Sequence, residues 1–70
     1  MNSTQFPELV KQMKLKKEKL KDIAELIGQN HNSQITRRLT GEVEWTIGEV
    51  EILCKHYNMD FWKLFKRKEN

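Results

Sequence analysis

Apolar residues recur along this chain at the three-and-four spacing that lays one stripe down a helix. Phe6, Leu9, Val10 and Met13 form the first stripe. Ser3 or Thr4 is placed to cap it, and Pro7 falls in the first turn, where its missing N–H has no intrahelical partner to lose. Leu20, Ile23, Ala24 and Ile27 form the second stripe, and Gly28 offers the left-handed residue that stops a helix. Leu15 fits neither stripe, so residues 14–19 read as a helix end and a turn. Gln29-Asn30-His31-Asn32-Ser33 is a run of turn and cap formers that breaks the chain and restarts a helix. In that helix Ile35 and Leu39 share a face, and Gly41 closes it. Thr46-Ile47-Gly48-Glu49 has the form of a capping box, leading into the longest stripe, Ile47, Val50, Leu53, Cys54 and Tyr57. Asn58 is placed to end that helix, and Asp60 to cap a last short one with Phe61, Leu64 and Phe65 turned inward. Strict alternation extends no further than Val43-Glu44-Trp45, so strands are not expected. The pattern predicts an all-α fold: a compact five-helix bundle forming one domain over residues 1–70, with 67–70 as a frayed tail.

Composition narrows the class. Seventy residues, 33% charged and 37% hydrophobic, leave no room for a second core. The single cysteine, Cys54, cannot make an internal disulfide, which favours a reducing compartment. The longest apolar run is Ile52-Leu53-Cys54, and Met1 to Gln5 lacks the charged start and apolar core of a signal peptide. Neither a membrane span nor secretion is expected, the Asn2-Ser3-Thr4 triplet is a chance match, and the expected location is cytoplasmic.

The net charge of +3 is unevenly spread. Lys11, Lys14, Lys16, Lys17, Lys19 and Lys21 face only Glu18 across that stretch, and Lys63, Lys66, Arg67 and Lys68 face Glu69. From Glu42 to Glu51 the chain carries Glu42, Glu44, Glu49 and Glu51 and no base. Basic clusters are the footprint of a nucleic-acid binder, and equally of a small helical domain kept soluble by its lysines.

Catalytic chemistry has little to stand on. There is no C-x-x-C, no H-x-x-x-H, no glycine-rich phosphate loop and no plausible Ser/His/Asp set. Cys54 lies on an apolar stripe, where a thiol acts as a small hydrophobe. His56 is two residues on, on another helix face, so the two do not make a metal-ligand pair. His31 sits in a turn facing water. The expectation is no enzyme, no cofactor, no metal and no small-molecule substrate.

Leu20–Ile27 and roughly Asn32–Thr40, joined by a tight turn, suggest a helix-turn-helix over about residues 20–40. Ala24 permits close approach of the second helix, and Gly28 permits the turn. Ile35-Thr36-Arg37-Arg38-Leu39-Thr40-Gly41 resembles the end of the recognition helix in small phage and mobile-element regulators. Trp45-Thr46-Ile47-Gly48-Glu49-Val50 resembles their aromatic-Thr/Ser-Leu-x-Glu-Ile start of a fourth helix, and Asn58 to Phe65 resembles their closing short helix ending in Leu-Phe. Across about residues 6 to 66 the chain resembles the phage repressor/Cro-like (XRE-type) family of five-helix DNA-binding domains. It departs from that family at Lys19, where Thr or Ser is usual, and in the seven-residue step from Gly28 to Ile35 in place of six. It departs again at Gly41-Glu42-Val43-Glu44, where the family is usually basic.

The resemblance implies a lambda-repressor-like fold and a sequence-specific transcriptional regulator, a repressor binding a pseudo-palindromic double-stranded DNA operator as a homodimer. With Ile35 in the core, helical geometry turns Ser33 and Arg37 outward, flanked by Gln34, Thr36 and Thr40, with Asn32 in the first turn. Asn32, Ser33, Gln34, Thr36 and Arg37 are therefore the candidate base contacts, against the plainer reading of a solvated polar face. Lys19, Lys21 and Arg38 are the candidate phosphate contacts that the resemblance implies, whereas Lys11, Lys14 and Lys16 read as solubilising. Trp62 and Phe65 are dimer-interface candidates, Trp62 equally a core-edge residue, and Trp45 is expected to pack against the fourth helix. The rival function is a helix-turn-helix module that binds another regulator or a host defence protein through the acidic stretch 42–51.

Overall fold

The structure is a computed structural model that describes residues 4–68. Its elements are α1 (Pro7–Leu15), α2 (Leu20–Ile27), α3 (Asn32–Thr40), α4 (Ile47–Tyr57) and α5 (Phe61–Leu64), with no strand among the described residues. This is the five-helix all-α bundle that the periodicity predicts. α2 packs on α3 and α4, and α5 closes the bundle against α4 and α1. The radius of gyration, 11.0 Å, equals the ~11 Å of a tightly folded chain this long, so no element stands away from the rest.

Every helix contributes to one core. Leu9, Ile23, Ile35, Leu53 and Leu64 are fully buried, one from each helix, and Phe6, Met13, Ala24, Leu39, Tyr57 and Phe65 complete the layer. Burying a side chain such as these contributes roughly 1.5–3 kcal/mol, which in a domain this small is most of what opposes chain entropy.

Helix ends are set by local chemistry. Gly28 and Gly41 adopt φ of +80° and +89° at the ends of α2 and α3, and Asn58 takes φ +54° after α4. At Gly41 a Cβ would also lie 3.1 Å from Gln5 Cγ, so a side chain there would be strained by its backbone conformation and would have to push the Gln5 side chain aside. The Thr46–Glu49 capping box forms in both directions, each bond 3.2 Å. Thr4 Oγ1 accepts from Phe6 N–H at 3.1 Å, so Thr4 steadies the residue before α1, while Ser3 lies outside the described residues. Asp60 occupies the start of α5 without a side-chain capping bond. The turn between α1 and α2 contains no glycine. Lys17 takes the left-handed conformation instead, at φ +57°.

The described part of the expected frayed tail is tied down. Lys68 N–H donates to Gln5 C=O at 2.8 Å, and Gln5 N–H donates to Leu39 C=O at 2.6 Å. The Arg67 guanidinium lies 5.3 Å from the centre of the Phe6 ring. Residues 69 and 70 lie outside the described residues.

Three aromatic rings gather the loop before α4, the lead-in to α1 and the end of α5. Phe6, Trp45 and Phe65 meet edge to face at centroid distances of 6.3, 5.8 and 5.4 Å. Phe65 is thus a core residue and no dimer-interface candidate, since its ring is spent inside the fold. Phe61 stacks on Phe65 yet stays 46% exposed, and Ile47, expected on the inner stripe of α4, is 80% exposed. Ile47 is the first residue of its helix and lies past the end of the core.

Candidate nucleic-acid interface

α2, the turn at Gly28–His31 and α3 form the helix-turn-helix. α3 buries Ile35 and Leu39 beneath it and turns Asn32, Ser33, Thr36 and Arg37 to the surface. That separation follows from 100° per residue: Ser33 and Arg37 lie opposite Ile35, with Thr36 and Thr40 to one side. Ser33, Thr36 and Arg37 therefore share one exposed face, and Asn32 is exposed in the first turn beside it. Thr36 and Thr40 return their hydroxyls to the helix, donating to Asn32 C=O at 3.5 Å and Arg37 C=O at 3.0 Å. Arg37 C=O also accepts from Glu42 and Val43 N–H at 2.9 and 3.2 Å, which fixes the end of α3.

Gln34 stands apart from the other four. It is half-buried, and its side-chain oxygen accepts from Arg38 Nη1 at 3.4 Å. Its role in the fold is to help seat Arg38.

Arg38 is the clearest correction to the sequence reading. It is 6% exposed and forms a two-pronged pair with Glu49, Nε to Oε1 at 2.9 Å and Nη2 to Oε2 at 3.1 Å. A third donor, Nη1, bonds Gln34 C=O at 3.1 Å. An arginine so committed has no face left for a phosphate. Its position on the helix already pointed inward, three residues after Ile35 and thus 60° from it, but the residue type suggested a surface.

Glu49 was not singled out as a site residue, yet it joins three elements. Besides Arg38, its carboxylate accepts from Thr46 N–H at 3.2 Å and from Gln29 Nε2, in the helix-turn-helix turn, at 3.4 Å. Burial pushes the Glu49 pKa up, and Arg38, the Thr46 amide and Gln29 outweigh it, leaving the carboxyl below its ordinary value. The carboxylate thus fixes α3 and the turn to the start of α4. The signal in the sequence was its place at the third position of a capping box, which guarantees an inward-reaching carboxylate.

Lys19 and Lys21 are exposed at the start of α2. Lys19 N–H is already bonded to Asp22 Oδ2 at 2.8 Å, so any anion met here must be held by ammonium groups and not by that amide. Beyond α3, Glu42, Glu44 and Glu51 are all exposed. The start of α2 therefore offers two exposed cations, and the loop after α3 two exposed carboxylates.

A second polar cluster ties the α1–α2 turn to the far end of α4. Glu18 accepts from the Tyr57 hydroxyl, and His56 Nε2 lies 2.6 Å from its other oxygen. Lys16 Nζ donates to His56 C=O at 3.1 Å and sits 5.2 Å from the centre of the Tyr57 ring. Burial raises the Tyr57 pKa well above its ordinary value, with Glu18 and Asp22 adding to the rise. Burial and the Asp60 charge push the half-buried Cys54 thiol up as well, which keeps it protonated and a poor nucleophile. Among the described residues no set of His, Cys, Asp and Glu is placed to hold a metal ion, and no helix is long and apolar enough to cross a membrane.

Trp62 is 81% exposed on α5 beside Phe61, with ring centroids 5.1 Å apart. Trp45 packs between Phe6 and Phe65 and borders Val50 of α4, as expected, and its buried Nε1 has no hydrogen-bond partner.

No family model matches the chain, nor does any curated protein or any solved structure.

Proposed function

We propose that this chain is a sequence-specific DNA-binding regulator of the phage Cro/repressor kind, built on a lambda-repressor-like helix-turn-helix and working in the cytoplasm of a bacterial or phage-infected cell. One observation carries the reading. Asn32, Ser33, Thr36 and Arg37 are presented together on a helix whose opposite face is anchored in the core. Asn pairs with adenine and Arg with guanine in the major groove, each good pair giving ~1–3 kcal/mol of discrimination. Lys19 and Lys21 supply phosphate contacts beside that face.

One such helix reads too little sequence for an operator. The proposal therefore includes a homodimer that sets two recognition helices ~34 Å apart, joined through Trp62 and Phe61 of α5. Regulation is by occupancy, with no catalytic step and no cofactor.

The test is selection of bound duplexes from a random library at physiological salt. A two-fold symmetric motif is expected, with Arg37→Ala relaxing preference at one position and Lys19→Ala weakening all sequences alike. Equal, sequence-independent losses from the two variants would remove the assigned roles. A second reading has its own observation, the exposed carboxylates of Glu42, Glu44 and Glu51, which suit a basic protein partner. Loss of all DNA in the selection would favour that reading.

A further inference from the structure

The basic residues that composition assigned to solubility are organised. Two hydrogen bonds set the C-terminal segment beside the end of α3: Leu39 C=O accepts from Gln5 N–H, and Gln5 C=O accepts from Lys68 N–H. Three adjoining hollows then run across the surface from that point. Thr4 and Val10 border both the hollow against Thr36 and Thr40 of α3 and the next one along α1. Pro7 and Lys11 border that second hollow and also a third, whose other wall carries Lys63, Lys66, Arg67 and Lys68. The only acid lining any of the three is Glu8, and Gln12 Nε2 holds its carboxylate at 2.9 Å.

From this geometry we infer that the chain has a second phosphate track, leading from the reading face of α3 along α1 to the cleft between Lys11 and Lys63, Lys66 and Lys68. Its ligand is the sugar–phosphate backbone of the DNA flanking the site that α3 reads, so the inference rests on the DNA-binding reading above. The charge map gives the reason. Beyond α3 the exposed acids Glu42, Glu44 and Glu51 outnumber the exposed base of α4, Lys55, and repel phosphate, although Glu44 stands 4.0 Å from Arg67. The α1 side instead offers Lys11, Lys63, Lys66 and Lys68, with the last held by an anchored backbone. A duplex seated on α3 is therefore drawn toward α1 and α5. The longest dimension of the molecule, 32 Å, corresponds to about nine base pairs at ~3.4 Å each, so the track meets DNA within one turn of the site.

The test uses the full chain, two duplexes and two variants. One duplex carries the selected site with ten flanking base pairs on each side, and the other carries the site alone. The variant K11Q/K63Q/K66Q/K68Q removes the track and leaves Arg67, which stands over Phe6, in place. K55Q removes an exposed cation of α4 that lines none of the hollows. Each phosphate contact adds ~0.9 to the slope of log affinity against log salt. The track variant is expected to lose about 2–3 from that slope on the flanked duplex, to bind it about 10–100-fold more weakly near 0.1 M salt, and to keep its base preference. On the bare site its loss is small, and K55Q behaves as wild type on both. A wild-type slope for the track variant on the flanked duplex, with base preference intact, overturns the track and leaves the helix-turn-helix reading standing. A wild-type chain with a steep salt slope but no base preference, its slope and affinity lowered by the track variant, supports the track and removes the base-reading role. Failure of the wild type to hold either duplex overturns both.

Discussion

The two ends of α4 are each held by a glutamate, and the two are built differently. At the start, Glu49 is almost dry and is paired with an arginine, whose guanidinium never loses its charge. At the far end, Glu18 reaches in from the α1–α2 turn to a tyrosine and a histidine, with side-chain exposures of 17% for Glu18 and 28% for His56. The dry pair joins α3 to the start of α4, and the wetter one joins the α1–α2 turn to its far end. The helix that would read DNA is thus set on α4 by a contact that neither moderate salt nor pH near neutrality can loosen, because it is buried and permanently charged. The other end secures a turn, and its grip depends on a phenol remaining neutral.

The largest test of that contrast is Arg38→Ala. It leaves the Glu49 carboxylate buried without its partner, which costs about 3–5 kcal/mol. A domain of this size has only ~3–5 kcal/mol in hand, so the variant should be largely unfolded at 25 °C, seen as loss of the helical circular-dichroism signal and of any urea transition. The double variant Arg38→Met/Glu49→Leu should recover most of the loss, since apolar groups of similar volume replace a buried pair at little net cost. If the single variant unfolds at the wild-type urea midpoint, the pair does not hold α3 at all. The double variant also separates orientation from stability: it should fold, and any drop in sequence preference would then measure how well the pair poses Asn32 and Arg37.

Acid should act next, through the dry end. The folded-state pKa of Glu49 lies below its ordinary 4.5, so its contribution is present above that value and is lost as pH falls through the folded pKa. Urea midpoints measured from pH 6 down to pH 3 should fall for wild type and fall less steeply for the Arg38→Met/Glu49→Leu protein. Parallel curves for the two proteins would place the acid sensitivity on other carboxylates.

What the sequence made legible was whatever chemistry acts within a turn. Gly28, Gly41 and Asn58 stop helices because the left-handed conformation is decided residue by residue, and Thr46 and Glu49 cap because three positions suffice. The inner stripes held for the same reason, except at Ile47 and Phe61, the first residues of α4 and α5, which stay exposed. What escaped depended on partners far along the chain. Arg38 looked like a surface cation until Glu49, eleven residues on, supplied the carboxylate that allows it to be buried. The turn at Lys17 takes a left-handed conformation without a glycine, held by backbone bonds from Lys17 N–H to Lys14 C=O and from Glu18 N–H to Met13 C=O and by the Glu18 side chain bonding across to α4. Lys63, Lys66 and Lys68 read only as a basic cluster because nothing local reveals that Gln5 anchors Lys68 beside α3. In the candidate interface, therefore, the exposed row on α3 and the apolar anchors beneath it were readable by helical geometry, and the Arg38–Glu49 pair that sets α3 on α4 was not.

Removing the wetter carboxylate should cost less. Glu18→Gln keeps the shape and one acceptor oxygen but loses the charge that strengthens both bonds. Hydrogen bonds to charged groups contribute about 1.5–3 kcal/mol, and partial exposure reduces that here, so a loss of about 1 kcal/mol is expected in urea denaturation. A loss as large as that of Arg38→Ala would erase the distinction between the two ends.

Tyr57→Phe should have the smallest effect at neutral pH and the most specific one in alkali. The phenol donates to Glu18, and its deletion removes one hydrogen bond while leaving the ring in the core, a loss of roughly 1 kcal/mol. Its pKa in the fold is raised far above the ordinary 10.0, because burial, Glu18 and Asp22 all oppose a phenolate. The unfolded chain therefore releases this proton first. The stability tied to the neutral phenol is complete below pH 10 and declines as pH rises beyond it. Wild-type urea midpoints should fall between pH 9 and pH 11, and those of Tyr57→Phe should fall less, so that the two proteins converge or cross. Since Tyr57 is the only tyrosine in the chain, the lysines and Cys54, whose thiol the fold also pushes up, are the remaining groups that titrate in that window. An alkaline decline of equal steepness in both proteins would assign it to them and leave Glu18 holding His56 alone.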